Sequence, residues 1–174
     1  MKNLLYLFTL FILITSCTLF KKDYPEIAHA ITLRTAKQLA HEKKMRLVGT
    51  SGGMIGQVNS LGMFLKHNSS SEVLEARKLA LFVADRFLYN INSDEKVRPY
   101  LNNYPFKIED LEIFIGFPST DLLHSSPEKI DHIVISNGTF KYKIFNKETQ
   151  LPDTILLEET IAEAREKVSN MTNK

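Results

Sequence analysis

The feature that most constrains this chain is its single cysteine, Cys17, which stands at the end of an apolar amino-terminal run. One lysine precedes the run, residues 4–14 form it with only Thr9 as an interruption, and Thr15 and Ser16 stand just before Cys17. A positive start, an apolar middle and a small-residue end are the three parts of a secretory signal. The run is about half of the roughly 20 apolar residues that a membrane-spanning helix needs, so export is favoured over a permanent span.

Residues 13–17, LITSC, resemble the lipobox of bacterial lipoproteins. The resemblance implies cleavage before Cys17, a diacylglycerol on its sulfur and a further acyl chain, such as palmitate, on its new amino group. Because each buried methylene adds about 0.8 kcal/mol, three chains would anchor the protein permanently in a membrane. Residues 1–16 are then a signal peptide, residues 17–24 a lipidated tether and residues 25–174 a single domain. An ordinary secretory signal and an uncleaved amino-terminal membrane anchor remain as alternatives.

The composition of the exported part excludes several classes of protein. Loss of Lys2 leaves 21 of the 22 basic residues against 20 acidic ones, and the chain has no tryptophan. This near-neutral balance argues against a nucleic-acid binder, whose domain normally carries a basic face. With Cys17 acylated, no thiol remains for a disulfide or a thiolate metal site. The domain must therefore be stabilised by an ordinary hydrophobic core, for which its length is sufficient.

Hydrophobic periodicity predicts an α+β fold. Apolar residues at helical spacing indicate helices at about residues 25–43, 72–92 and 158–171. Alternation indicates strands at about residues 45–48, 57–67 and 111–117, and a hairpin within residues 130–145 whose turn is Asn137-Gly138. The glycines of residues 49–56 are interpreted as a wide turn that joins the first two strands, and residues 154–157 fit either a short edge strand or the start of the last helix. The predicted architecture is a mostly antiparallel sheet of about five strands, packed against the long central helix with the terminal helices beside it.

The segment 98–106, RPYLNNYPF, is predicted to be an irregular, aromatic connection because each proline disfavours helix in the residue before it. Together with residues 75–88, 91–92 and 112–117, this segment is similar to small uncharacterised lipoproteins of chlamydia-like intracellular bacteria. The resemblance implies no activity, and it marks residues 98–106 as the most distinctive loop. On the residues alone, the aromatic side chains are expected to cover the open end of the sheet.

One motif could support catalysis. Residues 49–53, GTSGG, match the G-x-S-x-G nucleophile elbow, in which a serine, here Ser51, lies on a tight strand-to-helix turn. A hydrolase would also need a base and an orienting acid, and Asp121 or Asp131 with His124 or His132 follow Ser51 in the order of the α/β-hydrolases. Against this interpretation, the residues after Ser51 indicate a turn and a strand instead of a helix.

Metal and cofactor chemistry find little support in the sequence. The five histidines (His29, His41, His67, His124 and His132) form no close pair on one element, and the glycine-rich stretch lacks the Gly-Lys-Ser/Thr ending of a phosphate-binding loop. No cofactor is predicted. We expect a lipid-anchored protein of the bacterial cell envelope that acts without catalysis as a binding or assembly module for a protein partner. The alternative is a membrane-anchored serine hydrolase that uses Ser51.

Overall fold

The structure is a computed structural model that describes residues 24–118, 129–146, 148–149 and 151–172. Three helices lie within these ranges: α1 (Tyr24–Lys43), α2 (Val73–Asn92) and α3 (Ile161–Thr172). The first two agree with the predicted helices to within one residue. The predicted signal peptide, the predicted tether up to residue 23 and the predicted loop residues 119–128 lie outside the described residues.

Eight strands and two short 3-10 helices, Arg98–Tyr100 and Ile108–Asp110, complete the secondary structure of the described residues. In chain order, the strands are β1 (Arg46–Gly53), β2 (Ser60–Lys66), β3 (Ser71–Glu72), β4 (Leu111–Gly116), β5 (Lys129–Ile130), β6 (His132–Ser136), β7 (Thr139–Asn146) and β8 (Leu151–Thr160). Six of them form one sheet in the order β1-β2-β4-β6-β7-β8, and β3 and β5 pair separately. The α+β class is therefore confirmed.

The sheet differs from the predicted five-stranded one in size and in one pairing. Strands β2 and β4 are adjacent and parallel, from the pair Leu61 and Leu111 to the pair Lys66 and Gly116, whereas the other neighbours in the six-stranded sheet are antiparallel. A parallel pair requires a long crossover, and α2 supplies it. The predicted central helix thus belongs to the connection that returns the chain to the end of the sheet at which β2 began, where β4 also begins.

The glycine-rich stretch is a strand where a turn was predicted. Strand β1 continues through Gly53, pairs with β2 over its length and has an irregular register only between Leu47 and Gly49. Among the glycines of residues 49–56, only Gly56 has a positive φ, of 73°. The turn is therefore confined to the residues around Gly56, because the earlier glycines adopt extended backbone that any residue can adopt.

The carboxy-terminal boundary also differs from the predicted one. Strand β8 runs to Thr160, so residues 158–160, which were assigned to the helix, belong to the sheet. The Thr160 N–H donates to Glu163 Oε2 at 2.7 Å, and the Glu163 N–H donates to Thr160 Oγ1 at 3.3 Å. This is a capping box, which satisfies free donors at a helix start. The bond from the Thr160 backbone also lowers the pKa of Glu163.

The core lies between one face of the sheet and the helices. Helix α2 packs beside α1 and α3, and it contacts β4 and β6. Alternate residues of the central strands are buried beneath the helices (Leu61, Met63, Leu65, Leu111, Ile113, Ile115, Ile133, Ile135, Phe140 and Tyr142). Since alternate strand residues point to opposite faces, the intervening residues form the other side of the sheet.

The segment 98–106 begins with the 3-10 helix Arg98–Tyr100, which was not predicted, and is irregular after it. It closes one end of this core, as predicted for part of it. Leu101 forms an isolated parallel bridge with Val58, and Phe106 is buried. The Asn92 side chain accepts a hydrogen bond from the Phe106 N–H at 2.7 Å and donates one to its carbonyl at 3.0 Å. The aromatic side chains do not all point inward, because Tyr104 is 55% exposed.

Candidate functional site

The sheet face opposite the helices, which we call the open face, carries no helix of the described residues. Its side chains lie in rows across the strands because paired strands stay in register. One row runs from Gly49 through Phe64, Phe114 and Val134 to Lys141. Two phenylalanines therefore stand at the centre of a surface where an exposed sheet face would normally carry polar side chains.

The aromatic side chains of the open face form a continuous cluster. The ring centroids of Phe64 and Phe114 lie 6.2 Å apart, and those of Phe114 and His132 lie 4.8 Å apart in a stacked arrangement. Phe64 remains 44% exposed. Aromatic pairs at these distances attract one another beyond the burial of their area. An apolar aromatic cluster that is partly exposed to solvent is typical of a binding surface.

A groove of about 450 Å³ lies beside this cluster, which we call the aromatic groove. This volume falls within the roughly 300–1,000 Å³ of ligand-binding clefts. Its lining is mainly apolar or backbone, with Lys66 and Asp131 as the charged residues (Val48, Gly49, Phe64, Leu65, Lys66, Phe114, Gly116, Phe117 and Asp131). The groove is thus suited to an apolar group that also carries a polar or charged end.

Two glycines keep the groove open. A Cβ atom at Gly49 would lie 3.5 Å from Phe64 Cδ2, and one at Gly116 would lie 3.2 Å from Phe114 Cε1. A larger side chain at either position would therefore extend into the space beside the rings. Glycine within a strand frequently marks a place where another molecule approaches the backbone closely.

The polar end of the groove is held in place by the backbone. The Asp131 N–H donates to the Lys143 carbonyl and the Phe117 N–H donates to the Asp131 carbonyl, both at 2.8 Å. Asp131 Oδ2 lies 2.9 Å from Nδ1 of His132, whose side chain is only 7% exposed. The carboxylate retains access to solvent, at 20% exposure, so it can accept a further hydrogen bond from a donor in the groove.

The structure places Ser51 within β1 and not at a strand-to-helix turn. Its register partner is Gly62, and its Oγ donates to Glu112 Oε2 at 3.3 Å. The hydrogen-bond partner of Ser51 is thus an exposed carboxylate on the next strand but one, and not the imidazole that activates the serine of a hydrolase triad. The elbow geometry predicted from GTSGG is therefore not what the described residues show.

The structure also separates Ser51 from the predicted base and acid that it describes. His132 pairs with Gly116, four residues along β4 from Glu112, and β6 is three strands away from β1. At the usual strand spacing and rise, this amounts to roughly 20 Å between Ser51 and His132. Asp131 is paired with His132 and is equally remote. The other two predicted partners, Asp121 and His124, lie outside the described residues, as does Cys17.

The described residues contain neither a metal site nor a membrane-spanning helix. Among residues that the structure describes, no three His, Cys, Asp or Glu side chains are grouped so that they could hold a metal ion. None of α1, α2 and α3 is long and apolar enough to cross a bilayer. His29 and His41 are exposed on α1, and Nδ1 of His67 lies 2.9 Å from the Ser69 carbonyl oxygen in a local turn.

The aromatic groove was not predicted from the sequence, although two of its residues could have indicated an apolar outer surface. Phe64 and Phe114 are at outward-facing positions of two strands whose inward-facing residues are already apolar. Such residues have no core to fill and so indicate an apolar outer surface. Gly49 was interpreted as part of a wide turn and Gly116 only as a residue of a strand. The space that the two glycines leave depends on strands that are distant in sequence.

Comparison of the chain with protein-family models, with curated proteins and with solved structures gives no match.

Proposed function

We propose that this chain is a bacterial lipoprotein, anchored in a membrane of the cell envelope through lipid on Cys17, and that its domain binds a partner protein in the aromatic groove. The observation that carries the binding role is the solvent-facing aromatic cluster of Phe64 and Phe114 beside two glycines. The anchor is supported by the LITSC motif and by the absence of any other cysteine in the chain.

The chemistry of the groove indicates the kind of group that it accepts. The rings of Phe64 and Phe114 provide an apolar wall, and the exposed part of the Asp131 carboxylate accepts hydrogen bonds. A partner segment with an apolar or aromatic side chain and a nearby amine or guanidinium group satisfies both features. Because much of the Phe64 side chain is exposed, such a segment would remove apolar area from water on binding. This burial contributes about 25 cal/mol of binding free energy per Å².

Site-specific photocrosslinking in intact cells tests the binding role. A benzophenone amino acid is placed at position 64 in the groove or, as the control, at position 89, where Tyr89 is 69% exposed on α2. We expect a discrete crosslinked adduct from position 64 and none of that size from position 89. Equal adducts from both positions, or none from position 64, would contradict binding in the groove.

Metabolic labelling with palmitate tests the anchor separately. The parent chain should incorporate label and remain with the membrane fraction, and Cys17→Ala should lose both properties because no other thiol is present. Label that persists in Cys17→Ala would refute acylation at this residue.

The hydrolase alternative is tested by an activity probe. A fluorophosphonate reacts with an activated serine, and Ser51 in β1 has no neighbouring base of the predicted kind among the described residues. We therefore expect no labelling of the parent. Labelling that disappears in Ser51→Ala would overturn the non-catalytic function.

A further inference from the structure

We infer that one end of the domain is a membrane-contact surface that lies on the lipid headgroups and fixes the orientation of the domain. This surface, the entry end, comprises the β1–β2 turn at residues 54–59 and the irregular segment at residues 98–106. The inference rests on the proposed lipid anchor, because the anchor brings this end to the bilayer.

Tyr24, the first described residue, is tied to the entry end by two contacts. Its ring stacks on that of Tyr100 with a centroid distance of 5.3 Å, and its hydroxyl donates to the Met54 carbonyl at 3.2 Å. The Val58 N–H donates to the Tyr100 carbonyl at 2.7 Å, so the two parts of the entry end are joined as well. The tether therefore reaches the domain at a defined place.

The length of the tether restricts how far this place can lie from the membrane. Thr18 to Tyr24 are seven residues, which span at most about 25 Å when fully extended. Strand β1 is eight residues long and by itself covers a similar distance, about 27 Å, between the two ends of the sheet. The entry end is thus held next to the bilayer, and the opposite end can approach it only if the domain lies on its side.

The composition of the entry end is suited to an interface. Of the 15 residues at positions 54–59 and 98–106, only Arg98 is charged, in a chain of which 24% is charged. Ile55, at the turn, is 93% exposed and Tyr104 is 55% exposed. Tyrosine is enriched at membrane–water interfaces, and transfer of an exposed aliphatic side chain from water to the boundary between headgroups and acyl chains lowers its free energy.

Arg98 is placed to face the headgroups. Its guanidinium carbon lies 4.7 Å from the centre of the Tyr104 ring, so the cation is held over the exposed aromatic side chain. A long basic side chain can bury its stem beside apolar atoms while its charge stays with the anionic phosphates. The entry end thus combines Ile55, Tyr104 and one cation.

The absence of tryptophan from the chain allows a sharp test. Full-length Ile55→Trp protein, purified from membranes with its anchor, is reconstituted into anionic vesicles whose lipids are brominated near the headgroup. Leu151→Trp is the matched control, because Leu151 is also an exposed aliphatic residue, at 55%, and it pairs with Asn146 at the opposite end of the sheet.

We expect the tryptophan at position 55 to be strongly quenched and blue-shifted and the tryptophan at position 151 to be unaffected. The inference would be overturned if protein that floats with the vesicles were quenched equally at the two positions, or not at all at position 55. Such a result would not contradict the proposed lipid anchor. Protein that does not float with the vesicles would instead overturn the proposed anchor and the inference with it.

The contribution of Arg98 is tested in the same system. Adding Arg98→Glu to the Ile55→Trp protein should reduce the quenching in anionic vesicles and change it little in neutral vesicles, because attraction between the cation and the phosphates is lost only in the former. An equal loss in both kinds of vesicle would contradict a role for the charge, and circular dichroism checks that each variant remains folded.

Discussion

At the scale of single residues, the most consequential interaction is an ion pair in the core between Arg77 on α2 and Glu159 on β8. Arg77 Nε lies 2.5 Å from Glu159 Oε1, and Nη2 donates to Oε2 at 3.1 Å. The side chains are only 6% and 1% exposed. Lys167 on α3 also donates to Glu159, at 2.8 Å, so one carboxylate joins three elements.

Replacing Glu159 by glutamine should destabilise the protein strongly. The change leaves the Arg77 guanidinium buried without its countercharge, which typically costs about 3–5 kcal/mol. Glu158→Gln is the matched control, because Glu158 is half exposed and its pair with Lys141 should contribute at most about 1 kcal/mol. Urea unfolding measures both, and equal midpoints for the two variants would show that the buried pair contributes little.

The same carboxylate should produce an acid-dependent loss of stability. Burial opposes ionisation of Glu159, but hydrogen bonds from Arg77 and Lys167 outweigh it and hold the pKa of Glu159 below the ordinary glutamate value of 4.5. The resulting stability is present above that value and is lost as the pH falls through the lower pKa of the folded state. The difference in unfolding free energy between the parent and Glu159→Gln should therefore shrink on acidification below about pH 5. A difference that does not change with pH would contradict this assignment.

Gly62 is the glycine for which the sheet leaves no space. A Cβ atom there would clash with Ser51 Oγ and lie 2.5 Å from the Glu112 carbonyl oxygen, which belongs to the backbone and cannot rotate away. We expect Gly62→Ala to cost about 1–3 kcal/mol, as for other overpacked sites. Gly49→Ala, on the same face, meets Phe64 at an ordinary contact distance and should be close to neutral in thermal unfolding. Similar melting temperatures for both variants would refute the steric explanation.

At the scale of elements, helix α2 organises the fold, because it is both the crossover between β2 and β4 and the middle helix of the layer. Its extent was predictable from periodicity, since the buried residues recur at helical spacing (Ala76, Ala80, Val83, Ala84, Phe87 and Ile91). Its role as a crossover was not predictable, because periodicity does not specify which strands pair.

Truncation of Phe87 tests the packing of α2. Phe87 is fully buried, and Phe87→Ala should reduce the free energy of unfolding by about 3–5 kcal/mol. Tyr89→Ala, two residues along the same helix, removes a side chain that is 69% exposed and should change it by at most about 0.5 kcal/mol. Chemical denaturation compares the two, and a Phe87→Ala protein that unfolds with the parent would show that the helix is not packed as described.

At the scale of the whole molecule, the described helices lie on one side of the sheet and none of them covers the other side. The aromatic groove lies on this open face, and the entry end lies at the end of the sheet where β1 finishes and β2 begins. A domain held at the bilayer by its entry end would expose the groove to the side, where a partner in the same compartment can reach it.

Filling the groove should remove binding without unfolding the domain. In Gly49→Leu, the new side chain extends beside Phe64 into the groove. The apolar area that it buries should offset the cost of any distortion of β1, so that the free energy of unfolding changes by at most about 1 kcal/mol. We expect the crosslinked adduct from position 64 to disappear. Lys141→Leu adds the same side chain to the same row outside the groove and should retain the adduct. Retention in Gly49→Leu would mean that the partner binds elsewhere.

The sequence by itself determined the local elements. The helices predicted at residues 25–43 and 72–92 are present with bounds that differ by one residue, and Asn137 and Gly138 form the expected hairpin turn with φ values of 50° and 72°. These features depend on residues within a few positions of one another, and spacing and turn chemistry report such contacts directly. The Thr160–Glu163 capping box was equally local, and its T-x-x-E signature could have placed the helix start correctly.

Only the tertiary structure decided which elements meet. The parallel pairing of β2 with β4 brings Phe64 beside Phe114, and the strand order separates Ser51 from His132. Both outcomes depend on the pairing of residues about 50 or more positions apart in the sequence. The alternation of apolar and polar residues within each strand is the same whichever strands are neighbours, so it does not predict this pairing. The lipid attachment predicted at Cys17 is a property of local sequence, whereas the aromatic groove and the entry end exist only once the sheet has formed.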